Sequence, residues 1–423
     1  MITPTTDTMR LSERAIWWVL AAVVTLGCGE RGAGGGEMTV TDSAGITMVA
    51  NVDQGLWAPG EEWSLNEDLR IGTLEGDPEY QFGLIGWLTA GADGSIYVLD
   101  QQARHIRKFD ASGRHVTTFS RAGSGPGELG EAATFIGRTA GDSLVVADLD
   151  NARLNLYSST GRPLVTVPMD VEAGVPVSWA NTASGVIARQ SRQLPVEGRR
   201  APTDTTDAII TLAPDATDAD TLIRVPSGGT LSVSNDNPNV EIFAAEPIWA
   251  ITDDLDVLYG MNDDYRIGIY RDGRLRRVFS KEFTRQRVTD ADRRAVMEGL
   301  LGLFGDNVPA GALDQLSSLI RFHETFPVFA AIEVGPEGSL WVQRARRPSD
   351  LVASIEPNLR SVELLQRMGG SRWDVFDPEG RFLGPVEMPD RFIPRYFSGD
   401  YIYGVSRDEY DVEYVVRLRV VRP

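Results

Sequence analysis

The sequence is short of the residues that most often carry chemistry. Of 423 residues only Cys28 is cysteine, and only His105, His115 and His323 are histidine. A single thiol excludes an intramolecular disulfide and a cysteine-rich metal site, and three histidines without a close pair argue against a zinc site of several imidazoles. Positive charge is scarce too: 41 Lys and Arg against 60 Asp and Glu give a formal net charge of −19. Such a field repels phosphate backbones and anionic head groups, so no nucleic-acid partner is expected. Motifs are equally thin. No G-x-S-x-G elbow stands out. The stretch Gly123 to Gly130 lacks the lysine and the Ser/Thr of a phosphate loop and reads as a turn between repeats. Asp148, Asp150 and Asn151 offer oxygen ligands, but not at EF-hand spacing.

The one notable apolar run, Ala15 to Gly27, is too short to span a bilayer comfortably. Arg10 and Arg14 flank its start and Cys28 follows the small Gly27, which resembles a bacterial lipobox with Thr25 where leucine is preferred. Residues 1–27 are expected to be a lipoprotein signal peptide and 28–40 a lipidated Cys28 with a glycine-rich tether. The protein is then exported and membrane-anchored, facing the periplasm or the cell exterior. The alternative is an ordinary signal peptide and a buried free cysteine.

What is present in quantity is a repeat. Asp93-Gly94-Ser95-Ile96-Tyr97-Val98-Leu99-Asp100 is a turn followed by a β-rich run, and Ile106 to Phe109 is a second strand closed by Asp110-Ala111-Ser112-Gly113. Gly141 to Asp148 and Arg153 to Tyr157 repeat both halves, with 109 − 100 = 9 and 157 − 148 = 9 residues between matching positions. Val257 to Met261 with Arg266 to Tyr270 keeps the phase, 270 − 261 = 9. Gly338 to Val342 with Trp373 to Phe376 supplies a further copy, and weaker ones lie at Gly185 to Ala188 with Ala208 to Thr211 and at Asp400 to Tyr403 with Tyr414 to Leu418. Six copies predict an all-β, six-bladed β-propeller of four-stranded antiparallel blades over 41–423, with seven blades the main alternative. The last copy runs short of strands, so Gly45 to Ala50, within a partly shared 41–72, is expected to pair with it and close the ring.

The first copy with its exit, Asp93 through Gly113 to Gly123-Ser124-Gly125-Pro126-Gly127-Glu128-Leu129, resembles an NHL-type repeat and the exported six-bladed propellers of diderm bacteria. The resemblance implies a fold; that class includes binding scaffolds and enzymes alike.

Antiparallel parity puts the connection between a blade's second and third strands on the same face as the connection to the next blade. Insertions at 189–206, 344–372 and about 288–325 therefore share one face. The last is helical: Thr289 with Asp292 reads as a cap before Val296, Leu300, Leu301 and Phe304, and a second run holds Leu313, Leu316, Leu319 and Ile320 beyond Gly305 and Pro309. It is either a stabilising hairpin or a lid or partner-binding element.

The position before the third strand is His105, Arg153, Arg266 and Arg372 in four copies. With Asp148 and Asn151 these side chains are candidates to ring the loop face and hold an anionic or hydroxyl-rich ligand, or else to bridge blades through Asp100, Asp148 or Asp264. Arg189, Arg192, Arg199 and Arg200 form one basic cluster, either a grip on an acidic glycan or lipid phosphate or a solvated loop. The leading function is a tethered binding module recognising a protein, peptide or glycan through the insertion-rich face. The competitor is a gluconolactonase-like hydrolase or lyase whose channel holds one divalent cation, such as calcium, through converging Asp, Glu and Asn side chains, for which Asn181 and Glu333 lie near innermost strands.

Overall fold

A computed structural model of the chain describes residues 37–170, 174–193, 206–229, 231–234, 237–302, 311, 318–347, 349–350 and 369–423. The expected signal peptide, Cys28, Arg199, Arg200, Phe304, Gly305, Pro309, Leu313 and Leu316 lie outside the described residues.

The strands form a six-bladed β-propeller. Blades one to five occupy 85–119, 133–168, 175–226, 247–281 and 329–387, each as four antiparallel strands taken in chain order. The sixth takes three strands from 392–421 and its fourth from Ser64–Ile71. The inner strands are Ile85–Ala90, Ala133–Arg138, Val175–Asn181, Pro247–Ile251, Phe329–Val334 and Phe392–Ser398. Neighbouring inner strands touch in turn from the first blade to the fifth, and the sixth returns to the first.

The repeat produces this because its strands are apolar on both faces. All five residues of Ile96–Asp100 are buried, as are all five of Leu144–Asp148. Each blade therefore needs a neighbour on either side. Blade one packs Tyr97, Leu99 and Ile106 against Leu144, Val146 and Tyr157 of blade two. Blades five and six join through Trp341, Trp373 and Phe397. The turn between the third and fourth strands is set by chemistry as well: Asp377 Oδ1 accepts from the amides of Glu379 and Arg381, and Gly380 follows at φ 77°. A Cβ at Gly380 would lie 2.7 Å from Phe279 Cβ of the preceding blade, so glycine there permits both the turn and the interblade approach.

Ring closure differs from the sequence expectation. Ser64–Ile71, not Gly45 to Ala50, pairs antiparallel with Glu413–Val421, from Ile71 opposite Val415 to Ser64 opposite Val421. Ile46–Asn51 instead lies parallel to Arg274–Lys281 and extends blade four, with Thr39–Ser43 added beyond it. The cores give the reason. Ile71 packs with Ile85 and Val415 between blades six and one, whereas Val49 packs with Phe279 and Phe382 between blades four and five. Asn51 fixes this second strap: its Nδ2 donates to the Gly380 carbonyl at 2.9 Å and its Oδ1 accepts from the Phe382 amide at 2.8 Å.

By strand order the described ends of the three expected insertions leave the blades on one face, and 227–246, between blades three and four, joins them there. Helix Asp290–Gly302 begins at the expected reciprocal cap, with Asp292 Oδ2 accepting from Thr289 N–H at 2.8 Å and Asp292 N–H donating to Thr289 Oγ1. Ile320 is not helical. Strand Ile320–Phe322 pairs in parallel with Asn237–Ile242, itself paired with Leu231–Ser234, because Ile320 and Phe322 pack on the core of Ile242, Phe243, Val288, Val296 and Phe326. Asp292 ties this cap to blade five by accepting from Arg347 Nη2 at 2.8 Å and Ser349 Oγ at 2.6 Å.

Replacing Asn51 by alanine leaves a buried amide and a carbonyl without their partner and is expected to cost about 1–3 kcal/mol. Urea unfolding checks this; a change under ~0.5 kcal/mol would mean the strap does not hold the two blades.

Candidate functional site

The inner strands enclose a central channel that widens into two cavities. The larger, about 1150 Å³, opens on the face of the first-to-second-strand turns, with Thr182, Asp253 and Gly399 among its walls. The smaller, about 390 Å³, opens on the insertion face beside Gln343, Gly369 and Arg391. Both are lined by Trp87, Glu333 and Arg395, which therefore mark the waist between them.

Local irregularity positions these side chains. The inner strands of blades one, two, three, five and six each carry a register shift near their start, at Gly86, Thr134, Val177, Ala330 and Arg395, and blade four does not. A bulge re-aims the side chains around it. In blades one to three the result is an aromatic ladder: Trp87 and Phe135 have ring centroids 5.6 Å apart, and Phe135 stacks on Trp179 at 4.8 Å. Blade six lays the Arg395 guanidinium over Trp87, 5.1 Å from the ring centroid. Blade four contributes Trp249, whose Nε1 is held by Ser178 Oγ and Gln190 Oε1, both at 2.8 Å. Glu333, from blade five, is half-buried at this waist. Burial pushes its carboxyl up to about 8.

The residues singled out from the repeat lie elsewhere. His105, Asp148, Asn151, Arg153, Arg266 and Arg372 line neither cavity; they sit at or next to third strands, about 10 Å out from the innermost ones. Asp148 accepts from Gly130 N–H, Asn151 Nδ2 and Arg153 Nε, while Arg153 donates through its other nitrogens to the carbonyls of Ser124 at 2.6 Å and Glu128 at 2.8 Å. The trio thus fastens the glycine-rich connection between blades one and two. His105 is partly buried and held towards its neutral form by burial and by Arg107. Arg266 is exposed, and Arg372 Nε lies 3.6 Å from Asp374 Oδ1. In the basic cluster, Arg189 pairs with Asp218, and Arg192 with Asp207 and Glu246.

Sequence reasoning missed Trp87, Arg395 and the aromatic ladder. A signal was there: Trp87 precedes Ile96 by 96 − 87 = 9 residues and Phe135 precedes Leu144 by 144 − 135 = 9. Arg395 occupies a bulge and has no counterpart in the repeat.

Asn181 and Glu333 do line one cavity together, but they do not fit a cation site. The Asn181 amide is committed: its Oδ1 accepts from Thr89 Oγ1 and Arg138 N–H, and its Nδ2 donates to the carbonyls of Arg138 and Val186. Among the described residues no group of three or more His, Cys, Asp or Glu side chains is placed to hold a metal ion.

No protein-family model matches the chain, and no curated protein matches it in sequence. Solved structures do resemble it. A member of the DUF4221 family from Bacteroides vulgatus is 9% identical with a TM-score of 0.49, covering 86% of this chain and 99% of that one. A virginiamycin B lyase from Staphylococcus aureus is 10% identical with a TM-score of 0.40, covering 85% and 100%. A calcium-binding protein, regucalcin, from Agrobacterium tumefaciens is 12% identical with a TM-score of 0.38, covering 88% and 97%. At such distances the activities in these names do not transfer to this chain.

Because the Glu333 carboxyl titrates near 8 when folded and near 4.5 otherwise, the folded state keeps a proton that the unfolded state releases between those values. Stability should fall as pH rises through that window and level off above it. Unfolding free energies at pH 5 and pH 8.5 are expected to differ less in Glu333→Gln than in the wild type; equal differences would contradict a raised Glu333 carboxyl.

Proposed function

We propose that this chain is an exported, membrane-tethered binding propeller, displayed through a lipidated Cys28 and a glycine-rich tether, that recognises a protein, peptide or glycan through its insertion-rich face. The observation that carries this reading is the placement of the insertions. The described ends of all four interruptions of the blade pattern leave the blades on the face where the smaller cavity opens. There the helix Asp290–Gly302 and the three-stranded sheet share an apolar core of their own, so this face is built rather than merely looped. Support also comes from the waist, where aromatic rings and a fixed guanidinium suit recognition, and no described set of acid, base and nucleophile converges there. The acidic body argues against nucleic-acid partners. Among the described residues no helix is long and apolar enough to cross a membrane.

Two measurements test this. Metabolic labelling with a fatty acid should mark the wild type in a diderm host and not Cys28→Ser, which should be released from the membrane fraction; equal fractionation would remove the anchor from the account. On glycan and peptide arrays, Asp292→Ala, which unties the cap from Arg347 and Ser349, should weaken binding at least about tenfold. Binding unaffected by this change, or metal-dependent turnover of lactones or esters by the wild type, would overturn the reading.

A further inference from the structure

The larger cavity opens away from the insertions, and every hairpin on its side of the ring lies within the described residues. Its volume, about 1150 Å³, suffices to enclose a whole small molecule. Three indoles from three blades stand in its wall, Trp87, Trp179 and Trp249. Two are engaged: Trp87 lies under the Arg395 guanidinium, and Trp249 is buried with its N–H given to Ser178 and Gln190. Trp179 is half-buried and stacks on Phe135 with one face, the two rings 12° from parallel. Among the described residues no second ring or cation covers its other face, which is left to the cavity. An indole face attracts positive charge, as Arg395 on Trp87 shows in the same channel.

The acids of the wall favour the same sign of ligand. Glu333 lies at the waist and, among the described residues, forms no ion pair. Burial raises its carboxyl to about 8, and a cation beside it would favour the charged form instead. At the mouth, Asp253 and Asp254 sit on the turn between the first and second strands of blade four. Burial opposes the Asp253 charge, but hydrogen bonds from Ser184 and Thr182 hold its carboxyl below the usual range. Carboxylates around the entrance of a cleft concentrate cations there. The arginines Arg271, Arg276 and Arg277 stand on the third and fourth strands of blade four, about 10 Å or more out from the inner strand, and Arg271 is paired with Asp256. A metal ion needs several converging oxygens, which Asn181 and Glu333 do not supply; an ammonium needs one carboxylate and a ring face.

We infer that the larger cavity is a recognition site for an organic cation, a protonated amine on an apolar stem, which enters past Asp253 and Asp254, turns its ammonium to Glu333 and lays its stem on the open face of Trp179. The site is on the face opposite the insertions and goes beyond the partner recognition proposed for that end.

Calorimetric titration of the full-length chain in detergent micelles tests it at pH 8.5, where Glu333 is largely ionised and an alkylamine is still charged. The probes are N-acetyl-lysine methylamide, N-acetyl-norleucine methylamide and 5-aminopentanol. The lysine amide is expected to bind at least about tenfold more tightly than the neutral norleucine amide. Aminopentanol bound as tightly as the lysine amide supports a free amine as the ligand, and binding of the lysine amide alone supports a peptide side chain. Glu333→Gln should lower the affinity at least about tenfold and Trp179→Leu about threefold, while Glu131→Gln, exposed on the connection between blades one and two at the opposite face, leaves it unchanged. Thermal melting separates lost binding from lost folding, and the isosteric Glu333→Gln carries the test if Trp179→Leu does not fold. Equal binding of the lysine and norleucine amides, binding of neither amine, or unchanged affinity in folded Glu333→Gln overturns the site and leaves the reading of the insertion face standing.

Discussion

The backbone ladder between Ser64–Ile71 and Glu413–Val421 joins the two ends of the propeller into a ring, and the other features of the molecule depend on it. Every blade is apolar on both faces, so an open ring would expose two of them at once. On the blade-one side these are Leu88, Ile96, Val98 and Phe109, and on the blade-six side Tyr396, Tyr403 and Val405. Each large side chain returned to water forfeits roughly 1.5–3 kcal/mol, so closure outweighs any single contact elsewhere. It also removes the unpaired edge that a three-stranded last blade would present.

A second layer of order comes from buried acids at the insertion end of the blades. Asp100 accepts from the amides of Gly83 and Leu84 and from Arg107. Asp148 does the same for Gly130 and Arg153, Asp207 receives Gln190, Arg192 and Ser227, and Asp374 receives Tyr265 and Arg344. Buried charges earn little net stability, but their donors are fixed in direction, and Asp100 and Asp148 set the path of the chain as it enters blades one and two. That makes the insertion end rigid enough to carry a site, while the turn end relies on local Asp-to-amide turns such as that at Asp377.

Much of this was legible in the sequence. The strand pairs and their turns declare themselves because Asp93-Gly94, Asp110 to Gly113 and Asp377 to Gly380 are local chemistry, and the nine-residue spacing survives where identity does not. The helix start is equally local, needing only Thr289 and Asp292. The closing strand was not legible, since Gly45 to Ala50 and Ser64–Ile71 are both short apolar-polar runs and only the distant cores they join distinguish them. The inner strands hid for another reason: the shifts at Gly86, Thr134 and Arg395 break the period just where the channel-facing side chains lie. The role of Arg153 was not legible either, because its partners include the carbonyls of Ser124 and Glu128, which no side-chain motif reveals.

Closure and function meet at the waist. Arg395 comes from the last blade and Trp87 from the first, so their contact exists only in a closed ring. The most direct test uses the exposed facing pair Asn66 and Arg419 on the two closing strands. In a Cys28→Ser chain, Asn66→Cys with Arg419→Cys should oxidise to an intramolecular disulfide and raise the melting temperature, because facing strand positions lie within disulfide reach. Free thiols that resist mild oxidation, or crosslinks found only between molecules, would contradict a ring closed by Ser64–Ile71, and with it the shared waist.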